Sequence, residues 1–244
     1  MSFLTAEWRK LIMANYTIEP ALLQEYLPPF TELDPWDGNH FVSLIGFMFK
    51  RVRLLGMPIP FHINFEEVNL RFYVRRIVDG KWRRGVVFIK EIVPKPAISW
   101  VANTLYGEAY ETRRMKHHWQ IDAKEQLISY EWKVGKQWQQ LSVKATTESQ
   151  VIQEDSHQEY ITEHYWGYNK LSDQKTTEYE VTHPKWQAYP VSEYQIDVDF
   201  EFNYGSKFRF LNDQDPYSVL LVEGSPITIE SQDKLTSKSH LQQV

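Results

Sequence analysis

The sequence predicts a mainly β fold with short helices (α+β), arranged as an antiparallel, barrel-like domain. Long runs such as 40–53 and 64–77 are rich in β-branched and aromatic residues. The pairs Asp37-Gly38 and Asp79-Gly80 mark tight turns beside such runs. Apolar stretches at helical spacing are few and short. Many strands with a few short helices point to a closed or nearly closed antiparallel barrel with the helices outside it.

The elements follow in order. Ile18 to Leu27 reads as a short helix, with Leu22, Leu23, Tyr26 and Leu27 on one stripe and Pro28-Pro29 stopping it. His40 to Arg53 is a strong strand after the Asp37-Gly38 turn. It is apolar on both faces, Val42, Leu44 and Met48 on one and Phe41, Ile45, Phe47 and Phe49 on the other, so something must cover each side. Gly56 to Pro60 is a loop. Asn64 to Ile77 and Lys81 to Val93 form the clearest hairpin, around Asp79-Gly80. Ile98, Val101, Ala102 and Leu105 sit at helical spacing.

Arg113 to Gln120 reads as a strand. Leu127 to Lys133 and Gln137 to Thr147 make a second hairpin around Gly135. Ser156-His157-Gln158-Glu159 matches a capping box and predicts a helix to about Trp166. Thr176 to Thr182 is a strand. Tyr194 to Phe202 alternates, with Tyr194, Ile196, Val198, Phe200 and Phe202 expected inward. Val219 to Val222 and Ile227 to Ile229 are expected to be two short final strands. Residues 1–230 form one domain, and the polar tail 231–244 is expected to be loose.

Composition narrows the function classes. Of 244 residues, 42% are hydrophobic and 24% charged, ordinary for a globular chain. The aromatic share of 15% is high and suits strands, wide cores or pocket walls. There is no Cys, which excludes disulfides and thiolate chemistry. The net charge of -5 argues against nucleic acid as a partner. The first ten residues mix acid and base, so no signal-peptide core forms there, and no apolar run is long enough to span a bilayer. The expected location is cytoplasmic, with no membrane partner.

The most informative segment for chemistry is Phe65 to Val74. Alternate side chains of a strand share a face, about 7 Å between next-but-one neighbours. Val68, Leu70, Phe72 and Val74 make an apolar face, and Glu67, Asn69, Arg71 and Tyr73 a polar ladder opposite it. If the ladder faces water, it is a solvated face with a weak ion pair. If it faces a lumen, Glu67 and Arg71 are desolvated, need each other, and hold or polarise a small ligand. The basic cluster Arg75, Arg76, Lys81, Arg83 and Arg84 is either a solubilising hairpin tip or an anion site. The aromatic stretch Tyr160, Tyr165, Trp166, Tyr168, His183 and Trp186 is either core or the wall of a cavity for a flat ligand. The histidine spacings fit no metal site, and none of the familiar nucleotide or hydrolase motifs occurs.

Several motifs carry a family resemblance. Trp8, Asn15-Tyr16, Leu27-Pro28-Pro29, Leu33-Asp34 and Asp37-Gly38, then Glu67-x-Asn69-x-Arg71-x-Tyr73-Val74 with Gly85-Val86-Val87-Phe88, and later His183-Pro184-x-Trp186, resemble the YqjF-like family of unknown function. That family is grouped with the acetoacetate decarboxylase-like superfamily. The resemblance implies a barrel-like fold around a central cavity. It also implies a place for the superfamily's Schiff-base lysine, in a Gly-x-Pro-Lys stretch matched here by Gly107-Glu108-Ala109-Tyr110. This sequence lacks both Pro and Lys there, so the decarboxylase activity does not transfer.

Two functional readings stay open. In the first, the chain binds a small organic acid or carbonyl compound, with Asn69, Tyr73, Tyr106 and Tyr110 lining the pocket, Arg71 clamping a carboxylate and Glu67 orienting Arg71. In the second, it is a lyase or isomerase acting on a keto acid, with Glu67 as base and Arg71 as anchor. A third, lesser reading is a protein-interaction module built on Asp197, Asp199 and Glu201. No cofactor or metal is expected, and the oligomeric state is left open.

Overall fold

The computed structural model describes residues 2–96 and 109–236. Twelve strands and two short helices carry the architecture among these residues. The strands are β1 (Leu4–Thr17), β2 (Phe41–Leu54), β3 (Phe65–Val78), β4 (Lys81–Val93), β5 (Tyr110–Thr112), β6 (Met115–Ile121), β7 (Glu125–Val134), β8 (Gln137–Thr146), β9 (Trp166–Ser172), β10 (Lys175–Thr182), β11 (Val191–Asp197) and β12 (Ser218–Ile229). The helices are α1 (His157–Thr162) and α2 (Phe200–Tyr204). Shorter strand pieces extend the larger sheet at its margins.

The larger sheet bends into a ring in the order β12-β1-β2-β3-β4-β9-β10 and back to β12. Two short contacts complete the circle, so the ring is not a clean barrel. One is the parallel pairing of Trp166 with Gly85 and Gly167 with Val86. The other is the antiparallel pairing of Val181 with Ile229 and Thr182 with Thr228. Gly85 is required at the first contact, because a Cβ there would meet the Trp166 carbonyl oxygen at 2.5 Å. A second, four-stranded antiparallel sheet, β11-β8-β7-β6, packs against the outside of the ring.

Each central strand therefore has two buried faces. Val42, Leu44, Val68, Leu70, Phe72 and Val74 face the second sheet and pack with Ile128, Tyr130, Trp132, Leu141 and Val143. Phe41, Ile45, Phe47, Phe49, Phe65 and Tyr73 belong to a separate apolar cluster with Val86, Tyr179, Val181 and Trp186. The doubly apolar strand expected at 40–53 is thus covered on both sides, by the second sheet outside and by the lumen wall inside.

Several expectations are corrected. The helix expected over Ile18 to Leu27 is only a 3-10 turn, Pro20–Leu23, because β1 runs on to Thr17 and leaves few residues before Pro28. α1 starts at the expected cap, with the Ser156 hydroxyl accepting from the Glu159 N–H. It ends at Thr162 rather than near Trp166, since Trp166 pairs with Gly85 to close the ring. The strand expected over Tyr194 to Phe202 stops at Asp197. The Asp199 carboxylate then accepts from the Phe202 N–H at 2.9 Å and caps α2. Tyr194 (49% exposed) and Phe202 (60% exposed) face outward, while Phe200 is buried.

The two expected final strands are one, β12, which continues through Gly224 at φ 77. The helix expected over Ile98 to Leu105 lies outside the described residues.

Candidate ligand-binding site

β3 builds the floor of the site. Its alternation places Glu67 (2% exposed), Asn69, Arg71 (8% exposed) and Tyr73 on the face opposite the intersheet core. Glu67, Asn69 and Arg71 line a cavity of about 240 Å³ inside the ring. Cross-strand neighbours extend the wall: Phe47 pairs with Glu67 and Ile45 with Asn69 on one side. Glu91 pairs with Asn69, and Phe88 with Arg71, on the other. Tyr110, paired with Glu91 from β5, adds a phenol. The remaining wall is mostly aromatic and aliphatic, with Trp8, Phe49, Phe65, Trp166, Tyr179 and Trp186 among its members.

Tyr73 shares this face but is not among the cavity-lining residues. Its hydroxyl meets the Ser43 hydroxyl at 2.7 Å, and its ring packs on His164 and Tyr160. Tyr106 lies outside the described residues.

Glu67 and Arg71 do not pair with each other. Asn69 donates to Glu67 Oε1 at 2.9 Å, and the Tyr110 hydroxyl donates to Oε2 at 3.2 Å. Arg71 donates to the Ile161 carbonyl at 3.2 Å, and its guanidinium lies 5.5 Å from the Tyr73 ring centre. Four residues along an extended strand put their Cα atoms about 13 Å apart, and each side chain turns to a nearer partner. Among the described residues Arg71 has no carboxylate at ion-pair distance, and its Nε has no hydrogen-bond partner. The Asn69 Oδ1 is likewise a buried acceptor without a partner among the described residues.

Four of the five basic residues of the cluster at the β3–β4 hairpin are held in ion pairs. Arg76 and Arg83 both bind Glu178, at 3.0 and 2.7 Å, with Arg76 and Glu178 buried. Arg84 binds Asp34 at 2.6 Å, and Arg75 binds Glu32 at 2.7 Å. These ion pairs fasten the hairpin to β10 and to the segment at 32–34.

Glu91, Thr162 and His164, which the sequence does not mark as wall residues, complete the wall together with His183 of the aromatic stretch. Glu91 is a buried acid on β4, visible in the sequence only as a charge inside the apolar run 86–93. Thr162 ends α1, His164 follows it, and His183 follows β10. His183 stacks on Trp186, ring centres 4.1 Å apart, so the aromatic stretch is partly cavity wall and partly core. Burial pushes the His164 and His183 imidazoles down to about 4, so both are neutral near pH 7. Burial pushes the Asp34 carboxyl up, but the hydrogen bonds from His164 and Arg84 outweigh it and hold Asp34 below the usual carboxylate range.

No lysine lines the cavity among the described residues. The segment 97–108, outside the described residues, contains no lysine in its sequence either. The place where the superfamily's imine-forming amine is expected is therefore without one.

The family model of DUF2071, an uncharacterized conserved protein, matches residues 5–226. The chain belongs to this family. A relative, the uncharacterized protein YqjF of Bacillus subtilis (strain 168), is 30% identical over 82 residues, 33% of this chain and 32% of YqjF. The match thus spans about a third of that relative's length.

Solved structures share the DUF2071 chain's fold. Acetoacetate decarboxylase from Legionella pneumophila superposes with a TM-score of 0.63 at 13% identity, covering 96% of this chain and 87% of that one. The enduracididine biosynthesis enzyme MppR, complexed with pyruvate, gives 0.67 at 12% identity, covering 98% and 92%. An acetoacetate decarboxylase-like enzyme from Sphingomonas wittichii RW1 gives 0.66 at 12% identity, covering 97% and 94%. At such identity the likeness establishes the acetoacetate decarboxylase-like fold. Among the described residues no helix is long and apolar enough to cross a membrane.

Proposed function

We propose that the lumen binds a small organic acid, with its carboxylate on Arg71 and its carbon body among Phe47, Phe65, Phe88 and Trp186. One observation carries this reading. Arg71 is a buried, cavity-lining cation without a carboxylate partner among the described residues, and its Nε is unengaged. An uncompensated charge in a dry site costs several kcal/mol, about 3–5 on the scale of broken buried pairs. A ligand carboxylate would offset that cost through a forked hydrogen bond.

Size supports a small ligand. An apolar cavity of about 150 Å³ accommodates benzene, so 240 Å³ suits a molecule only modestly larger. Pyruvate in MppR is a small keto acid in the same fold. Among the described residues no lysine lines the lumen, so binding there proceeds without an imine. A thermal-shift screen of short keto, hydroxy and plain acids tests the reading. Stabilisation by acids, absent with their primary amides and absent in Arg71→Met, is expected. Stabilisation that survives Arg71→Met sinks it.

Glu67 favours a second, catalytic reading, a lyase or isomerase. It is a buried lumenal carboxylate that accepts hydrogen bonds from Asn69 and Tyr110. In this reading Glu67 takes a proton next to the carbonyl of a keto acid anchored by Arg71. Exchange of that proton in D₂O, followed by NMR and lost in Glu67→Gln, separates the enzyme from the binder.

A further inference from the structure

A second polar group lines the cavity near Arg71, and it is held by a chain of buried contacts. Asp34 is fixed from several directions. Its carboxylate receives Arg84 Nε at 2.6 Å and lies 3.7 Å from Arg75. Its backbone N–H donates to the Tyr73 carbonyl at 3.0 Å, and its carbonyl accepts the Tyr160 hydroxyl at 2.7 Å. The same carboxylate oxygen that takes Arg84 lies 3.3 Å from His164 Nε2.

A carboxylate only accepts, so His164 carries its proton on Nε2. That leaves a lone pair on Nδ1. This nitrogen is buried and has no hydrogen-bond partner among the described residues. An unsatisfied buried acceptor is costly, and a ligand donor removes the cost. His164 and Arg71 both lie against the Tyr73 ring, at 4.6 and 5.5 Å, and both line the cavity. Arg71 is also near enough to His164 for its charge to disfavour imidazole protonation, so a molecule anchored on Arg71 lies along the same stretch of wall.

We infer that Asp34 and His164 form an oriented acceptor that selects, among the acids taken by Arg71, those with a hydroxyl one or two carbons from the carboxylate. This rests on the carboxylate-binding reading and narrows it to hydroxy acids with an apolar body. Asp34 positions the imidazole, and the imidazole reads the hydroxyl. A site built to accept a hydroxyl proton rejects the analogue that lacks it, because the acceptor is then buried unpaired.

Calorimetry on the full chain with 4-methylpentanoate and its 2-hydroxy and 3-hydroxy derivatives tests this. At least one hydroxy acid is expected to bind about tenfold tighter than the plain acid, the worth of one well-placed hydrogen bond. In His164→Phe that preference, read as the ratio of the hydroxy acid's affinity to the plain acid's, is expected to vanish. In case the Phe variant does not fold, the ¹⁵N shift of His164 Nδ1 in the unmutated protein is read alongside. It moves when the preferred hydroxy acid binds and stays when the plain acid binds. Equal affinity for all three acids, a preference that survives in His164→Phe, or an unmoved Nδ1 overturns the inference. If no acid binds at all, the Arg71 reading itself fails, a result distinct from binding without preference.

Discussion

Replacing Arg71 by Met separates a binding role from a structural one. Met has nearly the length of the arginine stem and no charge. Arg71 is 8% exposed and, among the described residues, makes one hydrogen bond, to the Ile161 carbonyl at 3.2 Å. Replacing a buried cation that has no carboxylate partner among the described residues by an apolar side chain of similar volume is expected to be neutral to stabilising, by about 1–4 kcal/mol. Leaving the Ile161 carbonyl unpaired costs about 1–3 kcal/mol. The two oppose each other, so the unliganded variant is expected to lie within about 2 kcal/mol of the parent, a melting shift under about 8 °C for a chain of this size.

Acid binding behaves differently. A charge-assisted hydrogen bond contributes about 1.5–3 kcal/mol, so affinity for a carboxylate falls by about tenfold to more than a hundredfold. Urea unfolding measures the first quantity and calorimetry the second. A loss of more than about 3 kcal/mol in unliganded stability would falsify the reasoning, since it would mean that Arg71 serves the fold.

Glu178→Gln removes the carboxylate that holds buried Arg76 at 3.0 Å and Arg83 at 2.7 Å. A loss of about 3–5 kcal/mol in urea unfolding is expected, and a loss under about 1 contradicts a buried network there. Gly85→Ala forces a Cβ against the Trp166 carbonyl at 2.5 Å. About 1–3 kcal/mol of destabilisation is expected, and an unchanged melting temperature would mean the ring does not close at that contact.

Stability should also fall on mild acidification. Burial holds His157, His164 and His183 at about 4, below the ordinary 6.5. The unfolded chain therefore binds protons that the folded chain refuses, and stability present above about pH 6.5 drains away as pH falls toward 4. The urea midpoint at pH 5 should lie clearly below that at pH 7, and equal midpoints refute the neutral burial of these rings.

Much of the ring was legible because its strands announce themselves. The hairpin at Asp79-Gly80 has both turn residues at positive φ, and its strands run as the alternation predicts. The two-faced apolar pattern of β2 requires cover on both sides, and the two sheets supply it. β1 was missed, although it sits in the ring between β2 and β12. Lys10 adopts φ 54, and the pairing with β2 shifts register between Arg9 and Ile12, so the period of two is broken mid-strand. Asp199 read as part of an alternating strand because a cap and an outward strand residue look alike without the hydrogen bond.

In the site, the polar ladder was visible as chemistry on one face, but its orientation was not. Alternation places Glu67, Asn69 and Arg71 together and leaves lumen and solvent equally allowed. Only the second sheet packed over Val68, Leu70 and Phe72 decides it. Asp34 and His164 are 130 residues apart in sequence, so their contact leaves no local trace.

A crystal of the chain soaked in a brominated short-chain carboxylate tests the anchor most directly. The anomalous signal should place bromine among Phe47, Phe65 and Trp186, with the carboxylate forked onto the Arg71 guanidinium. Bromine only at the outer surface, or a lumenal ligand whose acid group points away from Arg71, contradicts it.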